Sequence, residues 1–382
     1  VMDARARTGE ETVYVSTLPG LEPALEAEAR ERGLPFRRAE GGIECEGPPG
    51  LHQTANLHLR TASRVLLRLG TFTAPTADAL VRGLEALPMA DVWDGKVPLR
   101  MSVTLHRSVA PGPAVVLESA AVAWNQREVA AAGYLDDEDG GPGLTLLVRG
   151  DGERWTVSVD TSGAPLYQRG YRQEVGRAPL RETLAAGILR LAGYAGDVPL
   201  VDPMCGSGTF LVEGAWLSQR RPPGMLRTFA FQSFPSFDSQ AWARRRAEAE
   251  AEALAEPRAP IRGYDLNAGA LGTARRNAKR AGVTLALERH DLRTLKAPPD
   301  APGLVVANPP YGKRVGEAED LPELYRALGA TLNGAFREWR KALIVPEEPK
   351  LVASLGLKGA RQLNVKNGGL RCLLLLAGPL AP

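Results

Sequence analysis

The chain has 382 residues, of which 44% are hydrophobic and 24% charged, enough to fill two or three cores. No apolar run approaches ~18 residues, so no membrane-spanning helix is expected, and no secretory signal is expected ahead of the fold. Three widely separated cysteines (Cys45, Cys205, Cys372) and four histidines argue against a disulfide framework and against a metal site, and fit a reducing cytoplasm.

Charge divides unevenly. Residues 1–165 carry 16 Lys+Arg against 23 Asp+Glu, giving −7; residues 166–382 carry 31 against 21, giving +10. A basic C-terminal half favours a polyanionic partner, with solvated arginine-rich helix faces as the plainer alternative.

In chain order, residues 12–15 read as a strand and 19–30 as a helix with apolar Leu21, Ala24, Leu25 and Ala29 at helical spacing. A hairpin over 37–46 turns at Gly41 and Gly42, a second helix spans 51–59, and a strand spans 63–72. This β-α-β-β-α-β order predicts a ferredoxin-like domain over 1–72. Residues 73–162 form another α+β unit. It has helices over 76–87 and 117–132, a strand over 99–105, a polar loop over 136–143, and a strand pair over 144–149 and 155–160. Arg169 and Arg172 follow in a connecting stretch, facing either an RNA or solvent. Pro179 suits the first turn of a helix running to Leu191.

Residues 199–201 are an apolar run ending at Asp202, followed by Pro203-Met204-Cys205-Gly206-Ser207-Gly208-Thr209 and a helix to Trp216. Strand, glycine-rich turn and helix open a doubly wound nucleotide-binding sheet. The spacing is neither G-x-G-x-x-G nor a Walker loop. An acid followed by G-x-G suits S-adenosylmethionine; an ordinary tight turn is the alternative. Residues 217–260 interrupt the rhythm with an aromatic run over 229–237 and a helix over 240–256. Strands over 261–266 and 285–291 end at Asp265 and Asp291, on either side of a helix over 268–281. Those acids suit a ribose diol and an adenine amino group, or a helix N-cap.

Residues 304–307 are another buried strand, ending in Asn308-Pro309-Pro310-Tyr311. Two prolines stiffen the backbone. The Asn308 side-chain oxygen and the Pro309 carbonyl can accept from an exocyclic NH₂ group, and Tyr311 can stack on a planar base. A helix over 322–339, strands over 342–345, 361–365 and 372–377, and a turn at 366–369 complete the sheet.

On these residues the sequence is similar to the bacterial THUMP-containing guanine-N2 methyltransferases that modify large-subunit ribosomal RNA. The match runs through residues 13–22 (Val13-Tyr14-Val15-Ser16-Thr17-Leu18-Pro19-Gly20-Leu21-Glu22), Arg169-Gly170-Tyr171-Arg172, Ala178-Pro179-Leu180-Arg181-Glu182-Thr183-Leu184, the loop 202–209, Asn308-Pro309-Pro310-Tyr311-Gly312-Lys313-Arg314 and Lys366-Asn367-Gly368, over nearly the whole chain. The resemblance implies an α/β, Rossmann-like S-adenosylmethionine-dependent methyltransferase domain (163–382) preceded by an α+β ferredoxin-like and THUMP region. It implies Asn308, Pro309, Pro310 and Tyr311 as catalytic. It implies Leu180, Thr183, Asp202, Pro203, Cys205, Gly206, Ser207, Gly208, Thr209, Asp265, Leu266, Asp291, Leu292 and Asn308 around S-adenosyl-L-methionine. The expected partner is RNA: 23S ribosomal RNA, or tRNA, whose guanine-N2 enzymes share the architecture. A DNA adenine-N6 enzyme, a protein glutamine-N5 enzyme and a non-catalytic RNA-binding assembly factor are the rival readings. No membrane or metal partner is expected.

Overall fold

The computed structural model describes residues 9–108, 110, 112–126, 129–132, 143–173, 180–310 and 321–378. The N-terminal region runs β1 (Glu11–Thr17), α1 (Glu22–Glu31), β2 (Phe36–Ala39), β3 (Gly42–Gly47), α2 (Leu51–His58), β4 (Ala62–Thr73), α3 (Ala77–Glu85), α4 (Met89–Val92), β5 (Leu99–His106), α5 (Pro113–Ala123), β6 (Ala130–Ala131), β7 (Leu144–Asp151) and β8 (Arg154–Asp160). Alternation along β1 sends Val13 and Val15 inward, as a strand with one face on the core requires.

The expected ferredoxin-like order is present, and it does not end in a free edge. Twelve-residue β4 pairs antiparallel with β1 near its start and with β8 from Leu66 to Thr73. The two N-terminal units therefore form one eight-stranded sheet, β2-β3-β1-β4-β8-β7-β5-β6. This pairing removes an exposed strand edge from each unit.

The helix expected over 117–132 is misplaced in sequence. Pro113 starts α5 in its first turn, and the helix ends at Trp124, before Asn125 takes a positive φ of 51°. Ala130 and Ala131 instead pair in parallel with β5. The helix expected over 322–339 stops at Asn333, before Gly334. Ala178 and Pro179, all of the polar loop over 136–143 except Gly143, and Tyr311 to Arg314 lie outside the described residues.

The C-terminal region runs α6 (Glu182–Leu191), β9 (Leu200–Asp202), α7 (Thr209–Ser218), α8 (Ser239–Ala251), β10 (Ile261–Asp265), α9 (Ala268–Ala281), β11 (Ala286–Arg289), β12 (Leu304–Ala307), α10 (Leu321–Asn333), β13 (Arg340–Pro346), α11 (Pro349–Ser354), β14 (Arg361–Asn367) and β15 (Leu370–Ala377). Its sheet order is β11-β10-β9-β12-β13-β15-β14, parallel except for antiparallel β15. The chain steps outward from β9 to β10 and β11, then returns to the other side of β9 as β12. That reversal opens a crevice beyond the carboxyl ends of β9 and β12, the usual ligand position in open α/β sheets.

The 217–260 insertion packs onto the N-terminal sheet. Phe229, Phe231, Phe234 and Trp242 are buried in the same core as Val13, Leu25 and Val157. The Phe231 ring meets Trp242 edge-on at 5.1 Å and His52 at 5.2 Å. The insertion thus fastens one region to the other. Phe231→Ala should lower unfolding stability by about 3–5 kcal/mol, the usual cost of truncating a buried aromatic. Urea unfolding checks this; an unchanged midpoint would mean that the insertion rests on the sheet without supporting it.

Candidate active site

The loop after β9 is tied down almost residue by residue. The Met204 amide donates to Asp202 Oδ1 at 3.0 Å, the Cys205 amide to the Tyr264 carbonyl at 2.8 Å, and the Gly206 amide to Asp265 Oδ2 at 2.9 Å. Asn277, buried on α9, donates through Nδ2 to the Ser207 carbonyl at 3.0 Å. Gly206 and Gly208 both hold positive φ, 51° and 80°, where a Cβ is strained. They differ in surroundings. A Cβ on Gly208 would lie 3.1 Å from Ala274, whereas one on Gly206 would meet nothing within 4 Å. At Gly206 the backbone turn is open.

Helix α7 starts directly after Gly208, and all ten of its residues are buried. Its first residue is braced by Arg172, which donates to Thr209 Oγ1 and, at 3.1 Å, to the Leu180 carbonyl, while pairing with Glu182 at 3.3 Å. Arg169 is 2% exposed. It donates to the Leu166 and Arg60 carbonyls and pairs with Glu213 of α7 at 3.5 Å. Neither arginine presents its guanidinium to an RNA: both are internal braces. That corrects the expectation from the sequence, which could not show Glu213 and Glu182 waiting as buried partners.

Among the expected cofactor residues, Asp202 is fully buried at the end of β9. Burial pushes its carboxyl up to about 8, and the nearby charge of Asp265 adds to the effect. Asp265 is half-buried at the end of β10 and accepts from the Asn267 amide as well as from Gly206. Leu266 beside it is 51% exposed, a large apolar surface left uncovered at the crevice. Asp291 caps the short turn Leu292–Thr294, accepting from the Arg293 amide at 2.9 Å. Leu180, Cys205 and Leu292 point their side chains into the core. Pro203 and Ser207 lie in the loop itself. Thr183 lies in the wall of a different cleft, with Ser16, Ser63 and Arg181.

Asn308 follows β12 directly. Its Oδ1 is buried, and no group among the described residues donates to it. An unmatched buried carbonyl oxygen costs about 1–3 kcal/mol, a cost that a ligand donor would remove. Pro309 is buried, and the Pro310 carbonyl is held by the buried hydroxyl of Tyr325, 3.3 Å away on α10. Tyr325 and Asn277 are supporting residues that the sequence did not reveal. Each sits in an amphipathic helix, where it reads as an ordinary position. Among the described residues no group of three or more His, Cys, Asp or Glu could hold a metal, and none of their helices is long and apolar enough to cross a membrane.

Comparison with known proteins places this geometry. The profile of the RMKL-like methyltransferase domain matches residues 169–375, and that of the RlmL ferredoxin-like domain matches 12–66. The ribosomal RNA large subunit methyltransferase K/L of Psychromonas ingrahamii is 32% identical over 379 residues, 94% of this chain and 49% of the relative. That of Methylococcus capsulatus is 34% identical over 385 residues, 95% and 50% respectively. The chain thus spans about half the length of these curated relatives. Among solved structures, a putative methyltransferase complexed with SAH, SMU.472, superposes with a TM-score of 0.81 at 26% identity, over 98% of this chain and all of that one. A predicted N6-adenine-specific DNA methylase from Listeria monocytogenes gives 0.81 at 28% identity, covering 97% and 96%.

The raised Asp202 carboxyl has a signed consequence. An unfolded Asp ionises near ~3.9, so between pH 4 and 8 the folded chain holds a proton that the unfolded chain has lost. Stability therefore falls as pH rises through that window. Asp202→Asn removes the effect. Thermal unfolding of the ligand-free protein should show the variant gaining on the parent from pH 5 to pH 8. A difference that is flat or reversed with pH would show that Asp202 is ionised in the folded chain.

Proposed function

The chain belongs to the RMKL-like methyltransferase family, and from that premise we propose that it transfers a methyl group from S-adenosylmethionine to the exocyclic N2 of a guanine in 23S ribosomal RNA. The residues present suit the donor. Gly206 leaves open space at a backbone turn, Leu266 offers apolar surface to an adenine, and the Asp265 carboxylate beside them would accept from a ribose diol. Asp202 would meet the cofactor's ammonium, and that cation would draw its carboxyl back toward the ionised form. Asp291 would accept from an adenine amine. When bound, the cofactor supplies an electrophilic sulfonium methyl.

The remaining work falls to the chain's own residues. A target base leaves its stack to reach a crevice of this kind. Asn308 Oδ1 and the Pro309 carbonyl accept from the exocyclic amine, drawing its lone pair out of conjugation with the ring. Prolines 309 and 310 and the Tyr325 hydroxyl fix the backbone from which both acceptors project. Tyr311 would stack on the base. The protein acts by orientation and preorganised polarity. The observation that carries the reading is the buried Asn308 Oδ1 at the carboxyl end of β12, beside the glycine loop and unmatched among the described residues.

The names of the K/L relatives support ribosomal RNA as substrate. The basic C-terminal half agrees with a polyanion. The Listeria structure's name favours a second reading, adenine-N6 transfer to DNA, since an adenine amine is the same kind of hydrogen-bond donor. Asn308→Ala removes an acceptor used mainly as the amine nitrogen pyramidalises, so turnover should suffer more than binding. Single-turnover methylation should slow by roughly two orders of magnitude, a scale set by loss of one preorganised polar group. S-adenosylhomocysteine affinity should hold. Normal transfer by the mutant would reduce the Asn308 loop to a turn; loss of cofactor affinity would assign Asn308 to the cofactor pocket.

A further inference from the structure

The last strands of the catalytic sheet carry one sign of charge. After Glu348 the sequence has no Asp or Glu, and its Lys and Arg are Lys350, Lys358, Arg361, Lys366 and Arg371. All of these are exposed. They run from α11 to the β14–β15 hairpin, whose β14 is the edge strand of the sheet. Charge keeps an edge strand from pairing with another chain, but either sign serves that purpose. A surface of a single sign sets up a field that attracts a polyanion. Lys366 of β14 and Arg371 of β15 are opposite each other in the antiparallel register, so their side chains leave the same face. Like charges so placed are destabilising, and an anion between them removes that cost. The carboxylates nearest in sequence, Glu347 and Glu348, lie in the turn before α11. Among the described residues no ion pair joins either of them to Lys366 or Arg371.

The hairpin puts this pair beside the crevice. β13 pairs with β15 as far as Pro346 opposite Cys372, whereas the pairs Lys366–Arg371 and Asn367–Leu370 continue beyond that level. Carried through β13, the register sets Asn308 level with Ile344 and so with Leu374. Lys366 and Arg371 stand three residues further on the same, carboxyl side, ~10 Å along the strands. β15 is two strands from β12, ~10 Å across the sheet. The tip is therefore a wall of the crevice, a few nucleotides of strand from a base held at Asn308. The wall is backed by the N-terminal region. Gly20 approaches β14 so closely that a Cβ there would overlap the Asn364 carbonyl oxygen, and Val365, on the face away from Lys366, shares a core with Leu21. Leu370, 46% exposed, adds an apolar edge to the tip.

We propose that the tip of the β14–β15 hairpin clamps the substrate RNA, with Lys366 and Arg371 sharing one backbone phosphate a few nucleotides from the one whose base enters the crevice. The proposal rests on the RNA methyltransferase reading above and names a contact that sets the register of the RNA. It makes Lys366 and Arg371 substrate-positioning residues outside the donor pocket. It also gives the close packing at Gly20 a function, since the N-terminal region then fixes where the clamp stands.

The test uses the full chain and deproteinised large-subunit ribosomal RNA. Binding is measured against KCl concentration for the parent, for the double variant Lys366→Gln with Arg371→Gln, and for Lys358→Gln at the far end of β14. S-adenosylhomocysteine affinity and thermal unfolding are measured in parallel. The double variant should bind RNA roughly tenfold more weakly, with the log–log salt slope flattened by about one, as for loss of one phosphate contact. Lys358→Gln should bind RNA like the parent. Donor affinity should stay unchanged, and the unfolding temperature should not fall, because the double variant removes a like-charge pair. A folded double variant that binds RNA like the parent overturns the proposal. An equal loss in Lys358→Gln also overturns it, by assigning the effect to the diffuse field of the whole edge. Should the double variant unfold early, Lys366→Glu decides, since it sets opposite charges face to face on the hairpin: it should stay folded and lose RNA affinity, and parental affinity overturns the clamp. A parent protein that neither binds nor methylates RNA overturns the functional reading instead.

Discussion

The catalytic end depends on the parallel pairing of two short buried strands. β9 and β12 align Leu200 with Leu304 and Val201 with Val305. Continued past the strands, that register sets Asp202 level with Val306 and Asn308 level with Met204. The glycine loop and the Asn-Pro-Pro loop therefore leave the sheet side by side. A slip of one residue would turn every side chain to the opposite face, sending Asn308 away from the loop it has to meet. Both strands are buried throughout, and the buried carboxyl of Asp202 at the end of β9 is the polar position that a slip would displace.

A polar junction holds this sheet against the N-terminal region. Arg60, buried between α2 and β4, donates to the Trp216 and Arg221 carbonyls. Glu28 of α1 accepts from the Arg60 and Thr61 amides, the latter at 2.9 Å. Arg169 then joins the Arg60 carbonyl to Glu213 of α7. Buried ion pairs add little net stability, because desolvation offsets their attraction, yet removing one partner costs several kcal/mol. A junction of this chemistry fits one arrangement and penalises its neighbours. It sets the N-terminal sheet at a fixed place against α7.

Local patterns made most elements legible. The apolar runs at 199–201 and 304–307, the glycine turn and the double proline each state their geometry within a few residues. What the sequence concealed is non-local. The 66–73 half of β4 does not announce β8 as its partner, and its register with β8 shifts between Arg68 and Gly70. The aromatic run over 229–237 signals burial without saying against what; the answer is the N-terminal core. Arg169 and Arg172 look like surface arginines, because Glu213 and Glu182 lie too far along the chain to be recognised as partners. The helix expected over 117–132 ends early for a local reason: the Ala/Val pattern continues past Trp124, and only the left-handed Asn125 marks the stop.

The central claim is chemical: a buried carbonyl oxygen on Asn308, beside a donor-binding loop, polarises an exocyclic ring amine. Its most direct test is nucleoside mass spectrometry of large-subunit ribosomal RNA and of duplex DNA. Each is incubated with the purified chain and S-adenosylmethionine carrying an isotopically labelled methyl group. The account predicts label in N2-methylguanosine from the RNA and none in the DNA. Label in N6-methyladenine of the DNA would contradict the choice of base and polymer. Label on a ring carbon or a ribose oxygen would contradict the role given to Asn308.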